Sequence, residues 1–466
     1  MKERAYSIDI LRGLAILGMV LSGQMIWSAE LPAWMFHAQT PPPGFKFDPT
    51  VAGITWVDLV FPFFLFSMGA AFPLSLRGRI EHGAGLKQIA TQSVKRWALL
   101  VLFAVALANT RSHALPEQWS PCVKSVVSLC VWGVFFCMFV RLPSLGRRAN
   151  NLLNICGVAG IVAVLLFGHY VHGMNVSIRR SDIIILVLAN MVLFGTLAWW
   201  FTRDCLSARL AVVAIIVALK ISSSVEGSWT AAVWNFSPVP WLYRAEFLKY
   251  LCIVLPGSIV GDLVRRRMCD GREDDKSDDR SKVFTITLLA LTVIILNMWG
   301  LFTRHTTINV IGTLFLGATA LLIARRARSA DGRLFYRLLT WGFFWLLLGL
   351  AFEPFEGGIK KDPATIGYFF ITSGLASFTI VVASVMIDIF GLKMRTTVRC
   401  GQNPMMAYTA AGYIIMPLLT LVGAAPLLVD LAAMGPWFGV LRGAIVTAIV
   451  AIVAILFTNK KIFWRT

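Results

Sequence analysis

Long apolar stretches alternate with short polar ones along the whole chain. About fourteen of these stretches come close to the roughly 20 residues that a helix needs to cross a bilayer, and the polar stretches between them are too short to form a soluble domain. The pattern predicts an all-α fold, a polytopic integral membrane helical bundle with about 11 to 14 transmembrane helices. We expect residues 1–466 to form a single transmembrane domain.

The distribution of charge predicts how this bundle lies in the membrane. The chain is 57% hydrophobic and 14% charged, and most of its 43 Lys and Arg fall in alternate loops. Under the positive-inside rule this asymmetry predicts that both termini are cytoplasmic. The segment 265–282 mixes both signs of charge without an aromatic residue, so we predict a charged cytoplasmic linker there and no nucleic-acid partner. The eight cysteines have neither a disulfide framework nor metal-ligand spacing, and we predict no metal site.

Polar residues near the ends of the first two apolar segments need partners, because an ionisable side chain in a spanning helix costs at least ~2.5 kcal/mol. Asp9 and Arg12 are spaced to share one helical face. They form either a self-neutralising pair near the interface or part of a functional site. Thr55 and Asp58 stand where the second segment begins, where a threonine caps a helix and an aspartate favours its dipole. The alternative is that Asp58 belongs to a site that faces outward.

Three loops on the predicted outer side are longer or more structured than a simple connection requires, and they are candidates for the substrate face. They span 29–53, 223–246 and 353–365. His37 lies in the first loop, which leads directly into Asp58. Histidine is the side chain best suited to proton transfer near neutral pH, although a lone loop histidine is more often simply solvated. If the prolines at 41–43 fold this loop back over the second segment, His37 approaches Asp58.

Four stretches in a fixed order resemble the heparan-alpha-glucosaminide N-acetyltransferase family and its bacterial branch. They are RAYSIDILRGLAILGMVL, GITWVDLVFPFFLFSMGAAFPLSL, GGIKKDPATIGYFFITSGLA and GQNPMMAYTAAGYI, and together they span most of the chain. The resemblance implies a multi-pass enzyme of the bacterial inner (cytoplasmic) membrane. It would take an acetyl group from cytoplasmic acetyl-CoA, as acyl donor, and deliver it to an amino sugar or glycan on the extracytoplasmic side. The implied partners are the lipid bilayer and that acceptor, and a homodimer is left open.

The resemblance also implies roles for individual residues, with one departure from the family pattern. The family's active-site histidine aligns without gaps with Asp48, and His37 takes its place only if the residues after it are treated as an insertion. The asparagine at the outer end of the family's first span is missing, and Gln24 stands nearby. We therefore predict these site residues: catalytic His37, Asp58 and Asn403; cofactor-binding Asp9, Arg12 and Lys361; substrate-binding Asp48 and Gln24.

Two other functions remain open from the sequence. Helices interrupted by proline, together with carboxylates inside the membrane, are also typical of a transporter or permease for a glycan or lipid-linked sugar. The departure at the histidine position favours a non-catalytic membrane protein that retains the fold. An acetyl-CoA assay separates the enzyme from both alternatives.

Overall fold

The computed structural model describes residues 5–269 and 280–464, and it is helical throughout apart from loops and two short strands. Thirteen helical stretches among these residues are long and apolar enough to cross a membrane, which confirms the predicted all-α polytopic bundle. The helices are α1 (Tyr6–Gln24), α2 (Trp56–Glu81), α3 (Leu86–Thr110), α4 (Pro121–Phe139), α5 (Arg147–His172), α6 (Ile183–Thr202), α7 (Leu206–Ser222), α8 (Trp229–Trp234), α9 (Leu251–Cys269), α10 (Arg280–Phe302), α11 (Thr306–Ala324), α12 (Ala330–Phe352), α13 (Ile366–Ser384), α14 (Arg395–Gln402), α15 (Pro404–Ala410), α16 (Met416–Leu421), α17 (Ala425–Ala433) and α18 (Pro436–Asn459).

Several shorter elements complete the fold. A 3₁₀ turn at Ala245–Tyr250 leads into α9, and π-helical turns at Val385–Ile389 and Ala411–Ile415 extend α13 and join α15 to α16. The strands β1 (Val140–Arg141) and β2 (Phe463–Trp464) pair in antiparallel register, with Val140 opposite Trp464. The end of the described chain is thereby fixed to the loop between α4 and α5.

The predicted charged linker at 265–282 coincides only in part with the described residues. Residues 270–279 lie outside them. On either side the chain is helical, since α9 continues to Cys269 and α10 begins at Arg280. The charged end of α9 makes ion pairs with neighbouring helices, as Arg265 does with Glu81 at 2.5 Å and Arg267 with Asp331 at 2.7 Å.

Helices α2, α9 and α13 form the centre of the bundle. Of their most apolar stretches, 72%, 83% and 78% are buried inside the protein, against 22% for α5 and 28% for α18. Helices α2 and α9 pack with their backbones in contact. A Cβ atom on Gly69 would lie 2.0 Å from the Val254 carbonyl oxygen, and one on Gly257 would lie 2.2 Å from that of Phe66. Only glycine fits there, as is common between membrane helices.

Contacts between loops divide the helix ends into two faces. On the face where α1 ends and α2 begins, the loop before α2 meets the loop between α12 and α13, and Gly53 N donates to Ile359 O at 2.8 Å. We call this the histidine face. On the opposite face, which we call the terminal face, Asn403 bonds to the end of the described chain and its neighbour Gln402 reaches Asp9 near the start of α1. Both ends of the described chain therefore lie on the terminal face.

Candidate functional site

The loop between α1 and α2 folds back onto the first turn of α2. Three aromatic rings hold it in this shape: Phe45 lies 5.3 Å from Trp27 and 5.0 Å from Phe36, measured between ring centroids. The Thr55 hydroxyl donates to the carbonyl oxygen of buried Phe36 at 2.7 Å. This fixes the following residue, His37, directly above the N-terminus of α2.

Asp58 lies in the first turn of α2 and is completely buried. Its Oδ2 accepts the main-chain N–H groups of Thr55 at 2.9 Å and of Ala38 at 3.2 Å. The first bond belongs to the helix start, as the sequence predicts. The second ties the aspartate to the loop between α1 and α2, which we call the histidine loop. The other oxygen, Oδ1, lies 3.2 Å from His37 Nδ1 and 3.8 Å from Lys361 Nζ. Asp58 is therefore both a helix-start acceptor and a partner of the histidine.

The surroundings of Asp58 Oδ1 favour one tautomer of His37. Within the described residues this buried oxygen has no hydrogen-bond donor unless His37 Nδ1 carries the proton. The opposite tautomer would let Nδ1 accept the Gln39 main-chain N–H at 3.1 Å, and would leave Oδ1 unsatisfied. A proton on Nδ1 instead removes the bond from the main-chain N–H of buried Gln39. Because an unsatisfied buried group costs about 1–3 kcal/mol, and more when it is charged, we satisfy the carboxylate and place the proton on Nδ1. Nε2 is then the unprotonated nitrogen, and it points toward the histidine face of the bundle.

A second carboxylate, which the sequence analysis missed, faces Nε2. Asp362 Oδ2 lies 3.8 Å from His37 Nε2, and its side chain is 53% exposed. The buried Gln39 amide holds the Asp362 main chain from both sides: Asp362 N donates to Gln39 Oε1 at 2.8 Å, and Gln39 Nε2 donates to Asp362 O. His37 and the neighbouring Lys361 hold the pKa of Asp362 below its usual value. The available clue was the position of Asp362 directly after Lys361.

Asp9 and Arg12 form a separate cluster toward the terminal face. Arg12 Nη1 lies 3.6 Å from Asp9 Oδ1, so the predicted pair is present. The guanidinium also donates to the Ser67 carbonyl oxygen of α2 and to that of Gly401 of α14, each at 3.3 Å. Gln402 Nε2 lies 3.4 Å from Asp9 Oδ2. The pair therefore joins three helices and does not face lipid.

An apolar cleft lies between the two clusters. It is narrow, with a cavity volume of about 30 Å³ between α1, α2, α6 and α15. Asp58 and Ser67 lie about 13 to 14 Å apart along α2, at about 1.5 Å per residue. The cleft occupies this interval, because Phe61 and Phe64 of α2 line it together with Ile16, Met19, Ile185 and Tyr408. The cleft thus lies between the level of Arg12 and that of Asp58 along α2.

Three other predicted site residues have local partners. The Asn403 amide is engaged at both ends, since Nδ2 donates to Ile462 O at 2.9 Å and Oδ1 accepts Trp464 N at 3.3 Å. It lies at the terminal face, away from His37. Asp48 Oδ1 accepts the N–H and the hydroxyl of Thr50 at 2.8 and 2.6 Å, which lowers its pKa. Gln24 ends α1 on the histidine face, and its carbonyl oxygen accepts from Arg442.

The predicted site residues are therefore divided between two places. His37, Asp58 and Lys361 lie together, although the sequence analysis grouped Lys361 with Asp9 and Arg12. Two carboxylates, an imidazole and an ammonium group, each within 4 Å of at least one of the others, are groups that move protons and stabilise charge. Among the described residues, no group of three or more His, Cys, Asp or Glu is placed to hold a metal ion.

The fold defines a multi-pass membrane protein. Residues 4–264 match the family described as Domain of unknown function (DUF5009), and the chain belongs to that family. It is also 28% identical over 120 residues to heparan-alpha-glucosaminide N-acetyltransferase from Mus musculus. The matched part is 25% of this chain and 16% of the mouse protein, so the chain matches less than a fifth of that relative's length. The two proteins are distantly related.

Proposed function

We propose that the protein transfers an acetyl group from acetyl-CoA to the amine of an amino sugar or glycan at the histidine face. The observation that carries the proposal is the position of His37, whose Nδ1 contacts the buried Asp58 while its Nε2 is directed outward. A buried carboxylate that fixes the tautomer of a histidine is the arrangement that makes the second nitrogen a general base. The distant likeness to a membrane N-acetyltransferase agrees with this chemistry.

In the proposed reaction the acceptor amine attacks the thioester carbonyl. A C–N bond forms, the C–S bond breaks, and His37 Nε2 takes a proton from the amine nitrogen and passes it to the departing CoA thiolate. Asp58 holds the ring and stabilises the imidazolium that forms. Lys361 lies 3.8 Å from Asp58 and is 23% exposed, and we assign it the role of stabilising the negative charge on the carbonyl oxygen. Asn403 has no part in this step, because its amide binds the chain end.

The donor reaches this site from the terminal face, which we propose is cytoplasmic because the positive-inside rule places the cation-rich loops there. We place the entrance for the donor at Asp9 and Arg12 on that side. We propose that the side chains lining the narrow apolar cleft move apart to admit the extended pantetheine arm toward Asp58. The adenine nucleotide remains at the terminal face. On this scheme the acetyl group crosses the membrane core while coenzyme A does not.

The test is acetyl transfer by the purified full-length protein, with acetyl-labelled CoA as donor and glucosamine as acceptor. We expect labelled N-acetylglucosamine and free CoA thiol in equal amounts from the wild-type protein. The variant His37→Ala should lose at least a hundredfold in rate, the lower end of what a general base contributes. The matched control is His113→Ala, an exposed histidine on the loop after α3, and it should remain fully active.

Three results would count against the proposal. Transfer that survives His37→Ala would exclude the histidine as base, and equal losses in both histidine variants would point to a general effect on folding. If neither variant changes any acetyl transfer and sealed vesicles accumulate unmodified glucosamine, the protein is a transporter. Accumulation is measured with the same vesicles in the absence of acetyl-CoA.

A further inference from the structure

The two nitrogens of His37 face two carboxylates with very different exposure. Asp58, beside Nδ1, is completely buried, whereas the Asp362 side chain, beside Nε2, is 53% exposed. The buried carboxylate is enclosed by the histidine loop and the start of α2. The exposed one is open to solvent on the histidine face, so a dissolved molecule can reach it.

The position of Asp362 relative to His37 is fixed by main-chain contacts. Gln39, two residues after the histidine, is buried, and its side-chain amide bonds to both the N–H and the carbonyl oxygen of Asp362. The adjoining segment is held as well, since Gly53 N donates to Ile359 O at 2.8 Å. Because these bonds hold the main chain, the Asp362 carboxylate can change its hydrogen-bond partner without a change in the loop.

The charge on Asp362 is also maintained. When His37 is protonated on both nitrogens, a hydrogen bond from its Nε2, together with the positive charge of Lys361, holds the pKa of Asp362 below the ordinary value of a carboxyl group. An ionised, half-exposed carboxylate beside an imidazole nitrogen attracts a cation that can also donate hydrogen bonds. A protonated amine has both properties, whereas a sugar hydroxyl has no charge.

We infer that Asp362 binds the protonated amine of the acceptor and holds it beside His37 Nε2. This inference rests on the proposed function and makes Asp362 a positioning residue that selects amines over hydroxyl groups. The bound ammonium gives one proton to solvent before its nitrogen attacks the thioester. Asp48, which was predicted from the sequence to bind the acceptor, instead accepts two hydrogen bonds from Thr50, at 2.8 and 2.6 Å.

The test measures binding of glucosamine and of glucose to the full-length protein without any donor. Wild-type protein should bind glucosamine more tightly than glucose. Asp362→Asn should weaken glucosamine binding about 5- to 30-fold, the effect of one or two kcal/mol, and leave glucose binding unchanged. Asp362→Glu should recover most of the preference, because it restores the charge. Glu30→Gln, which neutralises an exposed carboxylate on the loop between α1 and α2, is the matched control and should bind both sugars as the wild type does.

The inference is overturned if Asp362→Asn keeps the wild-type preference for glucosamine, or if the wild type has no such preference. Asp362→Ser gives the same comparison with a smaller neutral side chain, should the asparagine variant fold poorly. Acetylation assays with the same variants separate this inference from the proposed function. If the protein has no transferase activity but prefers glucosamine to glucose through Asp362, the proposed function is refuted and the amine site is retained. In an active enzyme, Asp362→Asn should raise KM for glucosamine with little change in kcat.

Discussion

The substitution Asp58→Asn tests the site most directly, because it changes one atom and the structure determines how the new side chain orients. Asp58 Oδ2 accepts two main-chain N–H groups, from Thr55 at 2.9 Å and Ala38 at 3.2 Å. An asparagine must keep its oxygen toward these two donors. Its NH₂ group then points at His37 Nδ1, where Asp58 Oδ1 now lies at 3.2 Å.

This orientation reverses the tautomer of His37. The asparagine NH₂ donates to Nδ1, so the single proton of the neutral ring moves to Nε2, which can no longer accept a proton from the amine. In the Ser-His-Asp triad the same replacement lowers kcat by about 10⁴, which is about 5.4 kcal/mol in activation free energy. The cost in folding is smaller, about 0.3–1 kcal/mol for a negative charge lost at a helix N-terminus.

Asp58→Asn should therefore fold with a slightly lower melting temperature and transfer acetyl groups roughly 10³- to 10⁴-fold more slowly. The assay follows release of the CoA thiol, and thermal unfolding of the same sample measures folding. Glu30→Gln is the control for loss of a loop carboxylate. The reasoning is refuted if Asp58→Asn stays within about tenfold of the wild-type rate. It is also refuted if the rate loss of the double variant with His37→Ala is the product of the two single losses. Residues that act as one unit give non-additive losses.

Three further predictions concern the scaffold and the donor side. Asn403→Ala removes two bonds to the chain end and should lower stability by about 1–3 kcal/mol, seen as a lower melting temperature with unchanged activity per folded molecule; a specific loss of activity would contradict this. Gly257→Ala should destabilise the protein, since its Cβ would lie 2.2 Å from the Phe66 carbonyl oxygen, whereas Gly133→Ala, with nothing within 4 Å, should be neutral or stabilising in thermal unfolding. Arg12→Ala should raise KM for acetyl-CoA more than Arg12→Lys does, and an unchanged KM in both would remove Arg12 from the donor site.

Much of the fold could be predicted from the sequence because the membrane imposes it. Apolar runs of the required length are necessary wherever the backbone must satisfy its own hydrogen bonds, and thirteen such helices are present among the described residues. The π-helical turns after α13 and between α15 and α16 were not predicted. They arise from local packing within runs that are apolar throughout, so the hydrophobic pattern carries no information about them.

The candidate site was predictable only where its contacts are local. Thr55 and Asp58 share the start of one helix, and their bond follows from that spacing. The approach of His37 depends on how a proline-containing loop folds, which the sequence analysis stated as a condition. Asp362 was missed because its position depends on Gln39, a residue 323 positions away in the chain. No local pattern encodes an amide that bonds to the main chain of a distant loop.

The packing of α2 favours acyl transfer over transport as the use of this site. A transporter exposes one site alternately to the two sides of the membrane, mainly through movement of one helical bundle against another. Helix α2 carries Asp58 at one end and contacts Arg12 through Ser67 further along, and its backbone packs directly against α9 at Gly69 and Gly257. Sliding these helices would drive carbonyl oxygens into neighbouring main-chain atoms. A fixed α2 suits a reaction in which a flexible thioester arm moves through the cleft while the helices stay in place.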